Sequence, residues 1–344
     1  MNFENVSIAG LGYSLPPHTL TSLEIEERLA PVYDRIRLHS GRLELMTGIR
    51  ERRFWDDSVR PSDVAAEAGK HAMQQAGIKA SEVDLLVHAS VCRNFLEPAT
   101  ASVVHEQLGL SPHCQMFDLS NACLGVATSM ALVAQMIDSG AIRSGLIVAG
   151  EIGKPLTDTT INQLLSDQNV TRKSIKSSFA SLTIGSGAAA VVLSRSSLVS
   201  DKPRLVRSIA QMATQHNHLC QGDTEGSSGL TMKTDAEALL FAGVELAKST
   251  WRDFSDGRAY LLGPELKTVS HQVGRAHTKL LYESLALMES GGYFTYETLG
   301  NVGSVSLPIT LALAAEASHI QRGDTVALLG IGSGLACQMM EVSW

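Results

Sequence analysis

Short apolar runs alternate along the whole chain with segments whose apolar residues recur every three or four positions. VSIAGLGYSL opens as a strand. Ser62–Gly77 (SDVAAEAGKHAMQQAG) reads as a helix, with a serine cap, apolar residues at helical spacing and a closing glycine. Val83–Cys92 (VDLLVHASVC) follows as a buried strand and TASVVHEQLGL as a short helix. CQMFDL, the segment after Cys123 and LIVAGE form a strand–helix–strand unit. Later, Gly185–Ser194 reads as a strand, Thr234–Phe254 as a long helix, and LKTVSHQV, VSLPITLALAAEASH and DTVALLGIGSGLACQMMEVSW as strand, helix and closing strand pair. Such alternation predicts an α/β architecture, a mostly parallel sheet between helical layers. The units around Cys123 and around Val305–His319 point to an internal duplication, with halves 1–195 and 196–344. Ile152–Ala180 has no strand character and is expected to be an insertion capping a site. No low-complexity linker divides the chain.

Composition narrows the function. The 344 residues exceed the ~100–200 of one ordinary domain. A net charge of −7 and a pI near 5.9 argue against nucleic-acid binding, which needs a basic face. The densest basic cluster, Arg50, Arg52 and Arg53, is expected to be a solvated loop. The N-terminal residues lack the pattern of a targeting signal, and no uncharged apolar run reaches the ~18 residues that span a bilayer, so a cytoplasmic protein without integral membrane association is expected. The five cysteines are scattered and form no C-x-x-C pair, which fits neither a disulfide framework nor a zinc site. His216–Cys220 (HNHLC) lacks a second pair of metal ligands.

Cys123, in SNACLGVATSM, falls where a helix begins. Unpaired N–H groups and the helix dipole there would stabilise a thiolate and an oxyanion on an attacked carbonyl, and the small Ala122 and Gly125 would let that carbonyl approach. A buried cysteine packing as a small hydrophobe explains the position equally well; for Cys92, Cys114, Cys220 and Cys337, inside strand-like runs, it is the preferred explanation. His271, in TVSHQVGRAH, ends a strand, where side chains open onto a crevice. Asn301, in LGNVGSVSLP, sits in a turn between Gly300 and Gly303. Taken singly, His271 reads equally as a backbone-satisfied histidine and Asn301 as a turn residue.

The ordered set is more specific than its parts. SNAC before a helix, HQ at a strand end, GN-x-G-S before a helix, a C-terminal GIGSG and TGIRERR (Thr47–Arg53) together resemble the thiolase superfamily, within its ketoacyl synthase III branch. The resemblance runs over essentially the full length. It implies a duplicated, five-layered αβαβα fold working as a homodimer. FLEPATAS, LCQ, GVELAKSTW, LGNVGSVSLP and LLGIGSGLACQM are similar to the acyl-CoA-condensing thiolases of olefin biosynthesis. That likeness implies acyl transfer to Cys123, His271 and Asn301 as hydrogen-bond donors to an enolate or thioester oxygen, and an oxyanion site from the Cys123 N–H with one from the Gly332–Ser333 turn. It also implies that Glu97, otherwise a solvated acid before Pro98, reaches into the partner subunit's active site as general base. Joining two acyl-CoAs without loss of carbon dioxide needs such a base, and an apolar pocket would raise its pKa. The other readings are a decarboxylating ketoacyl synthase III extending acyl-CoA with a malonyl thioester, and a catalytically silent partner subunit. The expected partners are acyl-CoAs, a second copy of the chain and downstream pathway enzymes. No cofactor is expected: GIGSG is followed by a strand, whereas a dinucleotide motif needs a helix.

Overall fold

The computed structural model describes residues 1–224 and 230–344. Five strands form the first sheet, in the spatial order Val6–Ser14, Gly187–Arg195, Ser144–Glu151, Leu85–His88 and Gln115–Asp118. Four more continue it: Arg204–Met212, Ala336–Ser343, Thr325–Gly332 and Lys267–Ser270. The two sets meet where Ser7 pairs with Arg204. With Gln115–Asp118 left aside and strands counted in chain order, both sets run 1-4-3-2. A vestige of the missing strand survives as a parallel bridge between Thr268 and Gly292.

The pairing is mixed rather than mostly parallel. Only Leu85–His88 with its two neighbours, and Lys267–Ser270 with Thr325–Gly332, run parallel. The strands that close each half return antiparallel. GIGSG is the tight turn of one such return, so Thr325–Gly332 passes directly into Ala336–Ser343.

Helices Gly125–Asp138 and Ser306–Glu316 fill the space between the two sheets, burying Val126, Met130, Val305 and Ile309 against Val191, Leu328 and Met340. Pro61–Ala76 and Thr100–Gln107 cover the outer face of the first sheet. Ala236–Ser255 and Arg275–Leu285 cover the second. The result is five layers, αβαβα, as expected from the resemblance. Among the described residues, no helix is long and apolar enough to cross a membrane.

Several local expectations change. The helix expected from Ser62 begins at Pro61, whose fixed φ suits a first helical position. Ser62 caps nothing: it exchanges hydrogen bonds with Asn94. Of Val83–Cys92 only Leu85–His88 is strand, and the remainder leaves the sheet as a loop. Ile152–Ala180 is largely two helices, Lys154–Ser166 and Ile175–Leu182. They bury Ile161, Leu164, Ile175 and Phe179 against Ile25, Leu29, Val32 and Leu43. Arg52 is no surface residue: it is fully buried on strand Glu51–Phe54 and donates to Leu20 O and Ser22 Oγ.

Candidate active site

Cys123 sits one turn ahead of the α-helix, in a 3₁₀ turn spanning Ala122–Leu124. Ala122 has φ 45°, a left-handed conformation that costs an L-residue energy and persists only where the surroundings impose it. A run of side-chain hydrogen bonds holds the turn beside it. Asn121 Nδ2 donates to Thr128 Oγ1, which donates to Gln338 Oε1; Gln338 in turn donates to Ser208 Oγ and Ala127 O. The nucleophile turn is thus anchored in the opposite half of the chain. Gly125 does not open the way for a substrate: its Cα lies against the Ala89 carbonyl, where a Cβ would stand 2.1 Å from the oxygen.

The backbone N–H groups of Cys123 and Ser333 both act on the Cys123 sulfur. The turn holding Ser333 is brought there by Gly332, packed on Leu124 closely enough that a Cβ would be 3.0 Å from its Cγ. Both amides favour the charged form, and the Ser333 one comes from the turn between two strands rather than from the helix start. Burial outweighs them, reinforced by Glu151 and Cys220, and pushes the thiol up to about 12. The resting residue is a protonated thiol, contrary to the thiolate expected from helix position alone.

His271 follows strand Lys267–Ser270; its N–H donates to Leu329 O. The ring is buried and Nδ1 has no partner. Burial, with the nearby His277, lowers its pKa to about 3, so it is a neutral base. Gln272 fixes the strand end by donating to Ser270 O and accepting from the Thr295 and Tyr296 N–H groups, while its own N–H donates to Ser306 Oγ. Asn301 is held by its backbone, with N–H to Thr183 O and C=O from Gly185 N–H. Its carboxamide oxygen accepts from Gly303 N–H, which leaves the NH₂ as the other polar end. Gly300 and Gly303 have φ of 67° and 58°, and their close neighbours are the Thr183 carbonyl and the Glu151 carboxylate.

These elements converge. The Ala122–Leu124 turn packs against both Gly303–Val305 and Thr325–Gly332, the strand to which His271 is bonded. Glu97 is not brought in by its own chain. It lies exposed on the loop before helix Thr100–Gln107, preceding Pro98 in a cis peptide, with no hydrogen bond or ion pair among the described residues. The loop beneath it is firmly rooted: Asn94 is bonded to Ser62 and Thr100, and the Thr100 and Ala101 N–H groups donate to Asp118.

Two polar groups escaped the sequence reading. Glu151 ends the fully buried strand Ser144–Glu151 and is 5% exposed. The signal was a lone acid closing the apolar run LIVAG. The other is a chain of side chains: His88 Nε2 lies 3.0 Å from Ser90 Oγ, which accepts from Gly150 N–H, and Asp118 lies 3.6 Å from His88 Nδ1. Among the described residues no cluster of three or more His, Cys, Asp or Glu is arranged to hold a metal ion.

Comparison with known proteins adds an independent line. The model of the 3-oxoacyl-[acyl-carrier-protein] synthase III C terminus matches residues 267–344, that of 3-oxoacyl-[acyl-carrier-protein] synthase III residues 117–211, and that of the thiolase N-terminal domain residues 45–158. The chain is 40% identical to the acyl-CoA:acyl-CoA alkyltransferases of Xanthomonas campestris and Shewanella oneidensis, covering 100% of both partners in each case. It is 28% identical to a β-ketoacyl-[acyl-carrier-protein] synthase III of Bacillus cereus, covering 99% of each chain. Among solved structures, a variant of Xanthomonas campestris OleA with bound lauric acid and lauroyl-CoA matches with a TM-score of 0.94 at 39% identity, covering 99% of this chain and 100% of that one. The cerulenin-bound enzyme matches at 0.95 and 40%, covering 100% and 98%.

Proposed function

The chain belongs to the OleA-type acyl-CoA:acyl-CoA alkyltransferases of the thiolase superfamily, and from that membership we propose that it joins two fatty acyl-CoAs head to head into a β-keto product. The 40% identity over the full length carries the reading, against 28% to the decarboxylating synthase III relative. In the first step the neutral His271 takes the Cys123 proton as sulfur attacks the acyl-CoA carbonyl, and the Cys123 and Ser333 N–H groups receive the developing oxyanion. CoA leaves as a thiol. In the second step a base removes the α-proton of the second acyl-CoA, His271 and Asn301 donate to its enolate oxygen, and the carbanion attacks the Cys123 thioester carbonyl. The C–C bond forms as the C–S bond breaks, and the Cys123 sulfur leaves as thiolate and returns to the thiol by net transfer of the α-proton.

We assign the base to Glu97 of a second copy of the chain. The exposure of Glu97 beside an open sheet edge supports this. Among the described residues, strand Gln115–Asp118 has no further neighbour; Met116 on it is 41% exposed, and Phe95 and Leu96 next to Glu97 are 41% and 98% exposed. Edges of this kind invite pairing with another strand. The halves are taken as 1–195, carrying Cys123, and 196–344, carrying His271 and Asn301.

Acyl-CoA supplied alone tests the proposal. A β-keto product of twice the acyl length, detected by mass spectrometry, is expected; product that appears only with added malonyl thioester would overturn it.

A further inference from the structure

Every group that bonds the Glu151 carboxylate is a donor. Oε1 accepts from Val91 N–H at 2.9 Å, from Ser304 N–H at 3.3 Å and, in a short bond, from Ser304 Oγ. Oε2 accepts from Cys92 N–H at 3.1 Å. Burial raises the pKa, the bonds from the Ser304 hydroxyl, Val91 and Cys92 oppose the rise, and among the described residues no cation pairs with the group. An all-donor shell suits an ionised carboxylate, an acceptor at every lone pair, and suits a protonated acid poorly.

Placement gives this anion its meaning. Val91 and Cys92 are the root of the loop that presents Glu97; Ser304 belongs to the turn that follows Asn301. One carboxylate therefore clasps the base-bearing loop of one half to the donor-bearing turn of the other. We propose that Glu151 is a positioning residue for condensation, fixing the Asn301 turn of its own site and, through the same carboxylate, the root of the loop that carries Glu97 to the partner's site. The inference rests on the head-to-head reading. The anion also bears electrostatically on the nucleophile. Glu151 and Cys220 are the titratable groups that bear on the Cys123 thiol, Cys92 the one that bears on Glu151 from its own loop, and both Glu151 and Cys220 disfavour the Cys123 thiolate.

Glu151→Gln discriminates, because its amide can keep an oxygen toward Val91 and Ser304 only by turning an NH₂ toward the Cys92 N–H. The Cys92 bond to the Glu97 root is lost while the bonds to Val91 and to the Asn301 side are kept. Cys123 acylation, followed by intact mass in single turnover, is expected to stay within a few-fold. Condensation should fall on the order of tenfold to a hundredfold, the effect of leaving a buried donor unpaired. With the charge removed, alkylation of Cys123 by iodoacetamide should set in at lower pH, a shift that a purely structural strut would not give. Condensation unchanged in Glu151→Gln overturns the inference, whatever the alkylation profile. If Glu151→Gln does not fold, Ser304→Ala replaces it, and condensation as fast as wild type then overturns the inference. Wild-type enzyme that makes no product from acyl-CoA alone sinks the head-to-head reading instead, and the alkylation profile alone then decides whether Glu151 acts on the site.

Discussion

The backbone N–H of Ser333 acts on the sulfur of Cys123 across the seam between the two halves of the chain. Together with the Cys123 N–H it lowers the thiol's pKa, yet burial beside Glu151 and Cys220 leaves the group at about 12. The two amides are therefore better matched to an oxyanion that exists only during reaction than to a resting thiolate.

A raised thiol pKa leaves the neutral form dominant at physiological pH, so the thiolate fraction grows about tenfold per pH unit up to that pKa. Alkylation of Cys123 by iodoacetamide should keep climbing beyond the range where an ordinary thiol, near 8.5, levels off. Acylation by acyl-CoA, with neutral His271 as base, should be flat across the same range. An alkylation plateau near neutrality would contradict the assignment.

Burial lowers His88, His271 and His277 to about 4, 3 and 4. Their folded pKa values lie below the unfolded value near 6.5, so the unfolded chain binds protons first as pH falls. Stability is complete above ~6.5 and declines below it, each histidine contributing at most ~1.4 kcal/mol per pH unit until its folded pKa is reached. Melting temperature measured from neutral pH downward should drop from that point, and a level profile would refute the burial of these rings.

Glu97→Gln should acylate Cys123 at close to the normal rate and lose condensation by ~10²–10⁴-fold. Mixing it with Cys123→Ala subunits should restore activity, because one composite site joins an intact Cys123 to an intact Glu97 from its neighbour. Mixed dimers that form and stay silent would remove the cross-subunit role.

Gly125→Ala drives a methyl against the Ala89 carbonyl, where the Cβ would stand 2.1 Å from the oxygen. Strand-end backbone cannot give way cheaply, so a loss of about 1–3 kcal/mol or more is expected in urea unfolding, with slower acylation. Normal stability and rate would show the turn to be more yielding than its packing indicates.

Local pattern revealed most of the fold. Strand Ser144–Glu151 and helix Ala236–Ser255 announce themselves by unbroken apolar character and by helical spacing, and the ordered Cys123, His271 and Asn301 carried the family likeness. Properties that depend on the far end of the chain were hidden. Arg52 looked solvated because its neighbours in sequence are charged, yet strand alternation turns it inward against Leu20 and Ser22. Cys123 looked activated because helix position is local, whereas the burial and the Glu151 charge that oppose activation come from tertiary packing. Glu151 itself binds groups sixty and more than a hundred and fifty residues away, beyond any spacing rule.

The two halves also differ at their outer margins. Lys267–Ser270 is mostly buried, and Gly292 bridges to Thr268. Gln115–Asp118 carries no such cover, and its first two residues are exposed. A chain with one sticky margin and one sealed margin cannot grow by repeated addition. Were two copies joined through the open strand about a twofold axis, that margin would be used up in both, and growth through this sheet would stop at two rather than run on into a fibre.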